Sequence, residues 1–278
     1  MRQRTSGLTA PTLALLLTSL SLAATELPER IRQSGTVRIA VNAIYPPMEY
    51  KDPATGKLIG LDIDIGEALA KKLGIRLEWQ ESAFEQLIPS LQTGRADMVL
   101  SGLSDLPARR ETLDFIDYMK TGGHFYTLAS SGVQTALDLC GHKVGTSRST
   151  SFPASIRAWS AANCEAAGKP AIEVMPAEST SDARSQLRQR RIDAAVQGYE
   201  TLHYVMGLEP GVYRPVGDPL NTQFQGMAFV KSESALRDVF AGAFGEILAD
   251  GTYGAIMANW GLSGNAVDRV RMNGEPWP

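Results

Sequence analysis

Ten residues, SGLSDLPARR (101–110), bring together side chains suited to holding a small anion: hydroxyls at Ser101 and Ser104, a glycine at 102 and an arginine at 109. A guanidinium is a planar fork of N–H donors that can bond both oxygens of a carboxylate at once. The plainer reading is a polar turn that only joins two elements. Few other residues could do chemistry. The sequence has no GxSxG, HExxH or CxxC motif, and His124, His142 and His203 are scattered without metal-ligand spacing. No catalytic residue, metal or cofactor is therefore expected.

The elements that must position this loop read as α/β. ADMVLSG is a buried strand running into the loop. Upstream lie the β-branched strand TVRIAV (36–41), a proline-rich turn YPPMEY, and a helix of apolar period 3.6 from Ile63 to Leu73, closed by Gly74. The alternating strand IRLEWQE and the amphipathic helix AFEQLIPSLQTG, stopping at Gly94, complete the unit. Alternation of strand and helix at this spacing predicts a parallel α/β sheet. The pattern then restarts. HKVGTS, AIEVMP and IDAAVQG are strands, separated by the helices TSFPASIRAWSAANC and SDARSQLRQRR. From Gln225, QGMAFVK is a strand followed by two helices, SALRDVFAGAFGEILADG and TYGAIMANWG. Two α/β units without a long linker predict two lobes connected by strands, with a cleft between them. Ligands of open α/β sheets sit beyond the carboxyl ends of strands, near helix N-termini. Ser101 to Ser104 fall at such a place.

The N-terminus and composition set the compartment. Arg2 and Arg4, a leucine-rich run from Leu13 to Leu22, and the small residues Ser21 and Ala23 have the three-part layout of a secretory signal. Its apolar run is too short to span a bilayer. Residues 1–23 are expected to be removed and the mature chain exported. Without Arg2 and Arg4 the chain keeps 25 basic residues (27 − 2) against 30 acidic ones, a net charge of −5. Such a balance does not invite nucleic acid or an anionic membrane surface. An isolated cysteine pair in an oxidising compartment most often forms a disulfide, so Cys140 and Cys164 are expected to bridge rather than remain thiols. Closing a loop of about 25 residues contributes roughly 3 kcal/mol in the chain-entropy model.

Five blocks, GLDIDIGEALAKKLG, AFEQLIPSLQTGRADMVLSGLSDLPARRETLDFIDY, LCGHKVGTSRSTSF, RQRRIDAAVQGYETLHY and ILADGTYGAIMANWGL, share one further property. In one colinear register over essentially the whole mature chain, they resemble the polar amino-acid class of periplasmic solute-binding proteins of ABC transporters (bacterial extracellular solute-binding proteins, family 3). Within that class they look closest to the mimosine- and opine-type branch. The resemblance implies two Rossmann-like lobes of mixed sheets joined by two hinge strands, the type 2 periplasmic binding protein fold, with ligand in the interlobe cleft. Lobe 1 would comprise 24–127 and 226–278, and lobe 2 would comprise 128–225. The implied function is a monomeric periplasmic protein that delivers an amino acid or amino-acid-like carboxylate to a membrane ABC permease.

The same resemblance assigns site residues. Arg109 matches the carboxylate clamp, whereas Arg110 beside it is expected to be a solvated surface residue. Ser101, Gly102 and Ser104 would bind ammonium and carboxylate, while Tyr45 and Phe84 would form aromatic walls. Ser149, Thr150 and Ser151 precede a helix whose free amides would hold the carboxylate from the other lobe. Asn42, Gln197 and Glu200 complete the expected set.

Two positions depart from the family pattern. Family members usually carry an aspartate for the ligand's α-ammonium where Gly198 stands, and a cationic amine without any carboxylate would be costly in a desolvated cleft. Either Glu200 or Asp105 reaches in, or the ligand's nitrogen is not a simple primary ammonium. Asn42 stands where members that take cationic side chains often have an acid, which counts against arginine, lysine or histidine. A few proteins of this fold are periplasmic enzymes that dehydrate cyclohexadienyl acids. That alternative needs a positioned general acid of raised pKa, for which Glu200 is the candidate. The expected function is binding, not catalysis.

Overall fold

Strand Thr36–Val41 carries Val37, Ile39, Ala40 and Val41, all buried. Burial on both faces marks a central strand flanked by helices on either side. On one face Ile39 packs with Leu61, Ile65 and Leu69 of helix Leu61–Leu73 and with Phe240 and Phe244 of helix Ser234–Ala249. On the other, Ala40 packs with Leu87 and Leu91 of helix Leu87–Gln92. Each such side chain, fully buried, contributes about 1.5–3 kcal/mol relative to exposure. The computed structural model describes residues 26–278, so the signal peptide expected over 1–23 lies outside the described residues.

The first lobe is built on a seven-stranded sheet in the order Glu275–Pro276, Ala266–Met272, Leu113–Thr121, Gln223–Val230, Met98–Val99, Thr36–Val41 and Arg76–Glu81. Strands 36–41, 76–81 and 98–99 pair in parallel, as the alternation predicts. Strands Leu113–Thr121 and Gln223–Val230 run antiparallel, so the sheet is not parallel throughout, as alternation alone suggests, but mixed, as the resemblance implies. These two strands carry the chain out to the second lobe and back. Their opposed directions follow from that return path. The second sheet has the order Glu173–Ala177, Lys143–Ser147, Ala194–Gly198, Gly123–Leu128 and Tyr213–Val216. Phe125, Val144, Ile156 and Val196 anchor its core. The residues around YPPMEY form a small third sheet, Ile44–Tyr45, Glu49–Lys51 and Leu58–Ile59, where only a turn was expected.

The chain leaves the first sheet at Thr121, enters the second at Gly123, and returns between Val216 and Gln223. Both crossings lie a few residues before the boundaries expected at 127/128 and 225/226. A Cβ at Gly122 would stand 1.9 Å from the Asn221 carbonyl oxygen. The two crossover segments touch there, and only glycine admits that approach. Cys140 and Cys164 form the disulfide, with Cα atoms 5.5 Å apart. It ties the entry to strand Lys143–Ser147 to the end of helix Phe152–Asn163.

Candidate ligand-binding site

A cavity of about 360 Å³ lies between the lobes, a volume suited to a small molecule. Its first-lobe wall is built from loops at strand ends. Asn42 and Tyr45 follow strand Thr36–Val41, Phe84 follows Arg76–Glu81, and Gly102, Ser104 and Arg109 follow Met98–Val99. Arg109 lies in the helical turn Pro107–Arg110 and is half-buried. One of its N–H groups donates to the Ser104 carbonyl over 2.7 Å. Among the described residues it forms no salt bridge, and burial lowers its pKa to about 10. Burying a cation away from an acid is costly, and an incoming anion would offset that cost.

The second lobe contributes two helix N-termini. Ser147, Thr150, Ser151 and Phe152 line the cavity at the start of helix Phe152–Asn163. Glu178, Ser179 and Thr180 line it at the start of helix Thr180–Arg188, where the Ser179 hydroxyl caps the Asp182 N–H. Unpaired amides and the helix dipole make such ends attractive to negative charge. Gln223 spans the gap between lobes, its Nε2 donating to Ser104 Oγ at 2.9 Å and Ser151 Oγ at 3.1 Å.

Buried acids lie beneath the first-lobe loop. The Ser101 hydroxyl donates to Glu49 Oε1 at 2.8 Å and accepts the Asn42 N–H at 2.9 Å. Asp62 accepts the Gly102 N–H at 2.8 Å and the Tyr118 hydroxyl at 3.0 Å. Burial raises the Asp62 carboxyl to about 7, and burial followed by repulsion from Asp62 pushes Glu49 well above the usual carboxylate range. These bonds fix the loop backbone from behind.

Of the residues singled out in the sequence, Asn42, Tyr45, Phe84, Gly102, Ser104, Arg109, Thr150 and Ser151 meet in one cavity wall. Four others do not. Ser101 is fully buried, its one proton spent on Glu49. Gln197 is buried and donates to Thr201 Oγ1 at 2.6 Å. Ser149 lies in the turn before the helix but outside the lining, which takes Ser147 and Thr150 instead. Glu200 sits behind the wall, accepting from Thr121 Oγ1 at 2.5 Å, Tyr45 Oη at 3.0 Å and Gln225 Nε2 at 3.0 Å. Burial raises its pKa against the lowering effect of those donors.

Two neighbours of the clamp are also corrected. Arg110 is no free surface charge: its Nε and Nη2 bond both oxygens of Asp105, at 2.5 and 2.7 Å. Asp105 is buried in that pair and close to Asp117, so it does not reach into the cavity. Residues missed in the sequence include Gln223, Gln225 and the Glu178–Thr180 segment. A signal existed for both groups. Two glutamines at alternate positions of one strand share a face, and Ser179 followed three residues later by Asp182 marks a helix start.

The arrangement is a two-lobed cleft with helix N-termini on one side and, on the other, a guanidinium that forms no salt bridge among the described residues, the layout of a solute receptor. Residues 37–263 match bacterial extracellular solute-binding proteins, family 3, and the chain belongs to that family. The arginine-binding protein ArgT of Corynebacterium glutamicum is 31% identical over 253 residues, covering 90% of this chain and 82% of the relative. The histidine-binding periplasmic protein of Salmonella typhimurium is 29% identical, covering 87% and 91%. Among solved structures, an ancestral arginine-binding protein bound to glutamine superposes with a TM-score of 0.72 at 30% identity, covering 82% of this chain and 98% of the other.

Proposed function

We propose that this chain is the exported binding component of an ABC importer for an amino acid, acting as a monomer in the periplasm and passing its ligand to a membrane permease. The ligand's carboxylate lies on Arg109 and between the two helix N-termini, and its side chain runs among Tyr45, Phe84 and Phe152. Arg109 carries this reading: a half-buried cation on the cavity wall with no salt bridge among the described residues. A ligand touching both lobes draws them together as a hinge closes.

L-Arginine and L-histidine are the first ligands to test, since relatives of this chain are named for them. Asn42 counts against a cationic side chain, but Glu85 lines the cavity and supplies negative charge that Asn42 does not, while Glu178 on the opposite lobe is paired with Arg148. The enzymatic alternative would need Glu200 as its general acid. The three donors around that carboxyl fit a structural part better.

A thermal-shift screen over the amino acids tests the proposal. Ligand at a hundredfold excess over Kd stabilises by about 2.7 kcal/mol, a rise of roughly 5–10 °C for a chain of this size. A screen in which no amino acid raises the midpoint contradicts it.

A further inference from the structure

Gln225 is 2% exposed and lines the cavity. Its Nε2 donates to Glu200 Oε1 at 3.0 Å, while its Oε1 has no hydrogen-bond partner among the described residues. A buried amide oxygen without a donor is uncommon and costly. The amide cannot turn round at no cost. An ionised Glu200 only accepts, and its oxygens already take Tyr45, Thr121 and Gln225. The carboxylate holds the NH2 end of Gln225, so the oxygen is the end left over.

The location suits a particular donor. Gln225 and Ser104 face each other as an antiparallel bridge pair, and the Ser104 carbonyl accepts from Arg109. The Arg109 guanidinium, held on the Ser104 carbonyl, and the Gln225 amide thus meet at one bridge pair, which suits a carboxylate and a nitrogen carried on one α-carbon. Building on the amino-acid reading above, we propose that Gln225 is a specificity-determining residue whose amide oxygen accepts an N–H from the ligand's α-nitrogen. Glu200 is the positioning residue that fixes the amide this way round. The ligand nitrogen meets a neutral acceptor backed by a buried carboxylate, in place of a carboxylate itself. One N–H suffices for that contact, so a secondary amine serves as well as a primary one.

The test is titration calorimetry with L-arginine, Nα-methyl-L-arginine, Nα-trimethyl-L-arginine and 5-guanidinopentanoate, which lacks the α-nitrogen. The wild type should bind the first two within a few fold of each other. Both should bind roughly tenfold or more tighter than the two ligands without an α N–H, the usual value of a hydrogen bond to a charged group. In Gln225→Met this preference should fall to about twofold, and circular dichroism reports whether the variant is folded. In Glu200→Gln, which frees the amide to turn, the preference should narrow. An unchanged preference in folded Gln225→Met overturns the proposal, as does wild-type binding of the trimethyl ligand as tight as arginine. The wild-type series decides alone if the variant does not fold. Should the wild type bind none of the four, the same series is built on the amino acid that the thermal-shift screen selects, and a screen that selects none overturns the amino-acid reading and this inference with it.

Discussion

A Cβ at position 198 would stand 2.0 Å from Glu200 Oε1 and 2.4 Å from its Cδ. Backbone strain is not the reason for glycine there, since its φ of −60° is open to any residue. The space beside the backbone is filled by the Glu200 carboxylate, folded back over the start of its own helix and pinned by three donors. Gly198→Ala should therefore destabilise the protein by about 1–3 kcal/mol, the usual cost of overpacking. In a Glu200→Ala background most of that penalty should disappear, because the colliding group is gone. Urea unfolding of the four species in a double-mutant cycle measures the coupling; additive losses would contradict the account. At this scale the sequence was half legible. The departure at 198 could be seen from the resemblance, but that Glu200 stays behind the wall depended on how a side chain folds over a helix start. Glu200 and Asp105 looked equivalent as letters, and only Asp105's bond to Arg110 removed it.

The turn Pro107–Arg110 shows how one short element divides two like residues between different tasks. Arg109 faces the cavity, and Arg110 holds both oxygens of the buried Asp105. Arg110→Ala leaves that carboxylate without its main partner, so we expect a loss of roughly 2 kcal/mol in stability, in the range for stranding a buried charged hydrogen-bonding group. Arg109→Ala should cost almost nothing, because a desolvated cation with one neutral acceptor adds little to folding. Chemical denaturation of both variants compares them, and equal losses would show that the two arginines are wrongly assigned. Elements with strong periodicity were legible: helices Leu61–Leu73, Phe152–Asn163 and Ser234–Ala249 fall close to where the apolar spacing places them. The adjoining strands Leu113–Thr121 and Gly123–Leu128 were not. Nothing in LDFIDYMKTGGHFYTL tells two sheets apart, and the change of lobe rests on the contact between Gly122 and Asn221.

Across the whole molecule, buried acids link stability to pH. Burial, then repulsion from Asp105, raises Asp117 to about 8, and burial raises Asp62 to about 7, both from an ordinary 3.8. Between those values the folded state holds protons that the unfolded chain has released, so stability must fall as pH rises. The midpoint of thermal unfolding followed by circular dichroism should drop between pH 5 and pH 8. Asp117→Asn, which keeps an acceptor for the Gly274 N–H, should flatten that slope. A midpoint constant or rising over this range would contradict the assignment. Carboxylates held low by bases, such as Asp250 beside Lys72, act in the opposite sense only below about pH 4. Interlobe geometry was the least legible level. That Gln223 touches Ser104 and Ser151 together follows from how two crossover strands aim the lobes, which no local spacing encodes.

The central claim is that Arg109 holds the ligand's carboxylate in the interlobe cleft. Titration calorimetry of wild type and Arg109→Ala with L-arginine tests it most directly. We expect the wild type to bind, and the variant to lose at least about a hundredfold in affinity, as when one partner of a buried charge pair is removed, with its unfolding midpoint unchanged. Equal binding by the two proteins would contradict the account.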